Sequence, residues 1–226
     1  MSIQPNPKLC HKQMKLITVE GNIGVGKTTF LKQLEGVPNI KVMYEPVDDW
    51  LKFKGDDGIS LFEMFYNDIK RYSFTFQMMA LQTRFENLVK ICNEYKNNDN
   101  TENIVVVCER SIFTDYNVFA KTTKAQGDMS DVELQVYKQC HQFMTSLCDI
   151  SIDKYIYLKA SPEVCLERIK QRNREGEENI TIDYLRRLDE CHDKWLNEIT
   201  SDNMMEVNTE VPLMINDITE FIKHKD

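Results

Sequence analysis

The sequence predicts an α/β protein: a five-stranded parallel sheet flanked by helices, with a helical lid. Three observations lead there. Short β-branched runs, apolar on both faces, alternate with amphipathic helical stretches, the pattern of strands covered on both sides. The first such run feeds a glycine-rich turn that opens into a helix. And 226 residues, with no internal repeat and no dividing linker, suffice to bury one substantial core. A single domain over 1–226 is expected.

The elements follow in order. KLITVE (15–20) is the first strand, and a helix over 28–34 leaves the glycines. IKVMYE (40–45), IVVVC (104–108), YIYL (155–158) and a weaker MMEV (204–207) complete the five strands. The long helical pattern from about 61 to 95 reads as two helices with a break near Tyr72 and Ser73. Ser130 caps a helix running to about Leu147, with Glu133 completing a capping box. Ser161 and Pro162 start another, proline suiting a first turn. Helices over 181–199 and 212–223 close the chain, and 97–102 and 122–127 read as polar loops.

Composition narrows the partners. Thirty-six acidic residues against 28 basic ones give a net charge of −8, which disfavours DNA, RNA and anionic membrane surfaces. No apolar run approaches the ~18 residues of a membrane span. The opening MSIQPNPKLCHKQM has neither an h-region nor an arginine, so no signal or transit peptide is expected. Seven cysteines without a C-x-x-C pair fit reduced thiols and make a zinc site improbable. The expectation is a cytoplasmic protein without polymeric nucleic acid or membrane partners.

The chemistry starts at Gly21, Asn22, Ile23, Gly24, Val25, Gly26, Lys27 and Thr28, which match G-x-x-x-x-G-K-[ST], with Thr29 following. Inward-turned backbone N–H groups would cradle phosphate oxygens, and the helix N-terminus adds positive potential. Lys27 would reach the β/γ-phosphates and the Thr28 hydroxyl a Mg²⁺ ion. Nucleoside triphosphate binding follows; its use does not. The third strand ends in Glu109, Arg110 and Ser111, with glutamate where P-loop ATPases usually carry aspartate. D-x-x-G, N-K-x-D and LSGGQ do not occur. Small-molecule kinases of nucleosides and nucleotides remain.

Two clusters fit that class. Glu45 ends the second strand, where the carboxyl edge of a parallel sheet borders its ligand crevice, and could accept a proton from an attacking hydroxyl. Arg168 and Arg172 share a helix face, with Arg174 just beyond, and suggest a lid over about 168–178 closing on a transferring phosphoryl group.

The motifs GNIGVGKTT, EPVDDW, FTFQMMALQTR, CERSIFTDYNVFA, RIKQRNREGEE and YLRRL…KWL occur in that order from Leu16 to about Leu196. With them the chain resembles the deoxynucleoside kinases related to deoxycytidine, deoxyguanosine and mitochondrial thymidine kinase. The resemblance implies Glu45 as general base, Arg110 as the residue orienting it and the 5′-oxygen, and Thr28 with Glu109 as the Mg²⁺ pair. It implies Arg168, Arg172 and Arg174 as lid arginines beside Lys27. Tyr66 and Glu177 would hold the sugar 3′-hydroxyl, and Trp50, Phe62, Phe76 and Phe119 would surround sugar and base. ATP as donor, Mg²⁺, and a homodimer through helices after the second and third strands also follow. Val132, Leu134, Val136, Tyr137 and Met144 are candidates for that interface.

The base-reading helix allows a physical check. At ~100° per residue, Phe76, Gln77, Ala80 and Arg84 fall within one ~100° face. Gln77 offers one donor and one acceptor but serves any base by an amide flip. Selection is expected from Arg84 with Asp115, which stands where the deoxycytidine and deoxyguanosine kinases carry an aspartate. Thymidine-accepting relatives have smaller apolar residues there, so thymidine is disfavoured. Deoxyadenosine, deoxycytidine and deoxyguanosine stay open, with a lean to the first two from their amino groups. Two rivals are a thymidylate-type monophosphate kinase, which needs a further cationic clamp, and a non-catalytic nucleotide-binding scaffold.

Overall fold

Strand β1 (Lys15–Glu20) is buried from Leu16 onward, which places it mid-sheet. It pairs in parallel with β3 (Val105–Glu109) on one side and β4 (Lys154–Lys159) on the other. The less buried β2 (Ile40–Met43) and β5 (Met204–Asn208) form the edges, giving the order β2-β3-β1-β4-β5. The computed structural model describes residues 14–96, 104–147 and 150–224. The loop expected over 97–102, Cys10, Cys148 and residues 1–13 lie outside them.

Side chains alternate across this sheet into two apolar layers. Val105 and Val107 join Val19, Ile156 and Leu158 in the larger cluster. Val106 and Cys108 point the other way and pack with Leu88 and Ile91. Burial on both faces explains the unbroken apolar runs. The first layer is covered by α1 (Lys27–Leu34), whose Phe30, Leu31 and Leu34 are fully buried, and by α9 (Ile182–Leu196).

Between β2 and β3 lie α2 (Val47–Trp50), α3 (Leu61–Asn67) and α4 (Ile69–Lys96). The α3/α4 break falls at Asp68, not at Tyr72 and Ser73. Asp68 leaves helical geometry at φ −144° and its carboxylate accepts from Arg71 N at 3.0 Å, capping α4. Ser73 is accommodated inside α4 because its hydroxyl donates to the Ile69 carbonyl at 2.6 Å.

After β3, α5 (Ile112–Thr114) runs through a π-helical turn at Asp115–Ala120 into α6 (Lys121–Ala125). The segment 122–127 is therefore helical to Ala125 rather than a loop. Thr123 satisfies its hydroxyl on Phe119 O and Ala120 O, so a polar sequence buries without cost in hydrogen bonds. Gly127, at φ +80°, ends it.

Helix α7 (Asp131–Leu147) carries the expected capping box: Ser130 N donates to Glu133 Oε2 at 2.7 Å and Glu133 N to Ser130 Oγ at 3.2 Å. Of the apolar residues proposed for an interface, Tyr137 is fully buried and Leu134 and Met144 pack beside it, whereas Val132 and Val136 are exposed. Helices α8 (Pro162–Arg172) and α10 (Ile215–Lys223) complete the fold. No helix among the described residues is long and apolar enough to cross a membrane.

Candidate active site

The carboxyl ends of β1, β2 and β3 open on one crevice, where an α/β sheet binds ligands. Its floor is the loop between β1 and α1. A Cβ on Gly21 would stand 2.4 Å from the Leu158 carbonyl oxygen, and one on Gly24 2.4 Å from that of Cys165. Both positions exclude a side chain, so the loop lies flat on β4 and α8. Lys27 folds back over it, donating to Asn22 O at 2.7 Å and Gly21 O at 3.1 Å. Burial, then the Arg110 guanidinium, push Lys27 down to about 7.

The Thr28 hydroxyl donates to Glu109 Oε1 at 3.0 Å. Two hard oxygen ligands beside a phosphate loop suit Mg²⁺, which takes few protein ligands and completes its shell with water and phosphate. Among the described residues there is no group of three or more His, Cys, Asp or Glu that could hold a metal ion.

All twelve residues assigned to the nucleoside line one cavity of about 310 Å³: Glu45, Trp50, Phe62, Tyr66, Phe76, Gln77, Ala80, Arg84, Arg110, Asp115, Phe119 and Glu177. Trp50, Phe62 and Phe76 form an aromatic wall, with ring centroids 5.4–6.3 Å apart. Trp50 Nε1 is fixed by the Thr83 hydroxyl at 2.8 Å. Beside Trp50, with its guanidinium 5.8 Å from that ring, Arg84 donates from Nε to Asp115 Oδ2 and from Nη2 to Glu45 Oε1, both at 2.9 Å, and from Nη1 to Glu109 O at 3.1 Å. The π-helical turn carries Asp115 to this position, a local widening that recurs at functional sites. Arg110 Nε lies 3.3 Å from Glu45 Oε1. Burial would raise the Glu45 carboxyl, but Arg110, Arg84 and Lys27 outweigh it and hold it at about 2.

Glu177 closes the far side. It accepts from Arg172 Nε at 2.8 Å and Nη2 at 2.7 Å, and from Arg174 Nη1 at 3.4 Å. Gly176 lets this segment lie on α3: its Cβ would meet Glu63 Cα at 3.1 Å and Phe62 at 3.2 Å.

The loop also lines a neighbouring cavity of about 530 Å³, with Gly24, Val25, Gly26, Lys27, Thr28 and Thr29 on one side and Arg168, Arg172 and Arg174 on the other. Arg168 sits apart from the nucleoside cavity. It donates to Val25 O at 3.0 Å and Thr209 O at 2.8 Å, bracing the loop against the end of β5. Gly21 and Asn22 line neither cavity; Asn22 Nδ2 ties the loop to Leu185 O at 2.8 Å. Thr209 and Leu213, in the second cavity, escaped the sequence reading. Thr209 directly follows a strand, and the carboxyl-edge rule that picked out Glu45 would have found it.

The deoxynucleoside kinase family model matches residues 17–226. A probable deoxycytidine kinase of fowlpox virus is 36% identical over 184 residues, covering 81% of this chain and 72% of that protein. Deoxycytidine kinase 1 of Xenopus laevis is 32% identical, covering 92% of this chain and 83% of that protein. Mitochondrial deoxyguanosine kinase of the same species is 29% identical with the same coverage. The chain belongs to the deoxynucleoside kinase family of enzymes.

Proposed function

We propose that the enzyme transfers the γ-phosphoryl group of ATP to the 5′-hydroxyl of a deoxynucleoside with a cytosine or purine base. One observation carries this reading: a single cavity joins the Gln77, Arg84 and Asp115 wall to Glu45, Arg110 and Lys27. The base lies against the aromatic wall, and Tyr66 with Glu177 takes the sugar 3′-hydroxyl. The 5′-hydroxyl then meets Glu45, an ionised carboxylate able to accept its proton. Arg110 Nε, in ion-pair contact with Glu45 at 3.3 Å but not hydrogen-bonded to it, can turn its hydrogen toward the 5′-oxygen. Lys27, Arg172 and Arg174 neutralise the phosphates, so catalysis is mainly positioning and charge compensation. Mg²⁺ held through Thr28 and Glu109 would supply further charge neutralisation at the phosphates. The segment about 168–178 acts as the lid, with Arg168 as its fixed hinge on the loop.

Arg84 and Asp115 form a buried pair that is costly to break, and this supports exclusion of thymidine with its extra methyl group. The free thiols of Cys140, Cys165 and Cys191 suit a cytoplasmic setting. Val132, Val136 and Phe143 form an exposed apolar stripe on α7 suited to a homodimer. The test is initial rates of ADP release with deoxyadenosine, deoxycytidine, deoxyguanosine, thymidine and their monophosphates at limiting concentration. We expect the nucleosides to turn over, thymidine the slowest. Monophosphates as better acceptors would overturn the reading, and a thymidine preference would overturn the Arg84–Asp115 argument.

A further inference from the structure

Arg110 is held under strain. Its φ of +63° lies in the left-handed region, which a non-glycine residue adopts when its surroundings impose it. Its side chain is 2% exposed. A guanidinium is planar and donates from several edges, so holding one carboxylate requires aiming it from more than one side. Glu45 faces the Nε edge at 3.3 Å, and the Phe119 ring covers the guanidinium at 4.8 Å. The third neighbour is His192, whose Nε2 lies 3.3 Å from Arg110 Nη1.

His192 can serve Arg110 in one form. A guanidinium nitrogen offers hydrogens and no lone pair, so Nε2 must be a bare acceptor. The other ring nitrogen lies 2.7 Å from the Leu188 carbonyl oxygen, one turn back on α9. A carbonyl accepts, so Nδ1 carries the proton. Together the two partners select one neutral tautomer. Burial, then the charge of Arg110 and that of Lys27, drive the imidazole well below its ordinary pKa. The ring is fully buried and stacked on Tyr157 at 13°, while the Tyr157 hydroxyl is anchored on Asp193 at 2.8 Å. The ring plane is set by Tyr157 and the Nδ1 proton by the Leu188 carbonyl, neither of which lines the cavity.

We propose that His192 is a positioning residue for phosphoryl transfer: its bare Nε2 accepts from Arg110 and fixes the guanidinium that orients Glu45. This rests on the reading of Glu45 as base and Arg110 as its orienting partner.

Two substitutions divide the ring's functions. In His192→Gln the amide reaches the Nε2 position and can return an oxygen to Arg110. In His192→Asn it reaches the Nδ1 position, keeping the Leu188 contact without the acceptor. Both are assayed with saturating ATP and the fastest of the four deoxynucleosides, beside Glu45→Gln, and their Tm is measured. We expect His192→Asn to lose about tenfold to a hundredfold in kcat, with KM within about threefold, and His192→Gln to recover most of it. Equal losses in both that follow Tm would overturn the proposal. So would wild-type kcat in His192→Asn while Glu45→Gln is inactive, which leaves the reading of the site intact. Wild-type kcat in Glu45→Gln removes that reading and the proposal with it. Long-range ¹H–¹⁵N NMR of the wild-type protein at neutral pH decides the matter if neither variant folds. A proton on Nδ1 with bare Nε2 supports the role, and a protonated Nε2 overturns it.

Discussion

Arg84 Nη2 donates to Glu45 Oε1 at 2.9 Å, so the arginine that holds Asp115 in the cavity wall also grips the carboxylate that follows β2. Its Nε simultaneously holds Asp115. On the proposed reading of the site, base selection and turnover are coupled through one guanidinium. Arg84→Met is expected to lower kcat as well as raise KM. It should also cost about 3–5 kcal/mol of stability, because Asp115 is left buried and unpaired. Urea unfolding and steady-state kinetics check both; an effect confined to KM would mean that the ends act independently.

Glu45→Gln keeps the shape of the side chain and removes its basicity. Nucleoside binding measured by calorimetry should persist, while kcat falls about 10²- to 10⁴-fold. A variant with near wild-type kcat would take the base role away from Glu45.

The two carboxylates on Arg84 titrate far apart. Burial pushes Asp115 up to about 6 although Arg84 opposes it, whereas Glu45 is held at about 2. The pH profile of kcat/KM should rise with an apparent pKa near 6 as Asp115 ionises, with no limb from Glu45 at that pH. Between about 4 and 6 the folded chain holds a proton that the unfolded chain has released. Stability from this group therefore falls as pH rises through that window and is level above it. Asp115→Asn should remove both limb and slope; a limb surviving in that variant belongs to another group.

Gly176 allows the Glu177 segment to lie on α3. Its φ of +90° and the 3.1 Å approach to Glu63 Cα leave no room for a side chain. Gly176→Val should lift Glu177 from the cavity, raise the deoxynucleoside KM about tenfold and lower Tm, since both residues are buried and a β-branched residue is strained at that φ. An unaltered KM would show that Glu177 reaches its place without this contact.

Arg168 braces the glycine loop through Val25 O and Thr209 O. Loss of such charged hydrogen bonds costs about 1.5–3 kcal/mol. Arg168→Gln should raise the KM for ATP about tenfold or more and leave deoxynucleoside binding unchanged. The reverse pattern would assign Arg168 to the acceptor instead.

Much of this molecule is written in local order. The five strands, the glycine loop and the common face of Phe76, Gln77, Ala80 and Arg84 follow from alternation, turn chemistry and the helical repeat, each acting over a few residues. Burial on both faces made β3 unmistakable, and exposure at the sheet edge made β5 faint. Where the reading erred, polar side chains had found partners inside a helix: Ser73 and Thr123 resemble loop residues until their hydroxyls meet carbonyls one turn back. What local order could not carry is which polar groups meet. Arg84 and Asp115 are 31 positions apart, and Arg110 and His192 are 82 apart. Arg168 faces Val25, 143 residues away, rather than the nucleoside cavity. Such pairings depend on crossover direction, on a π-helical turn and on the stacking of α9 against β4. Burial makes the pairings of Arg84 and Arg110 obligatory, because a charge withdrawn from water has to find its partner wherever the chain has brought one.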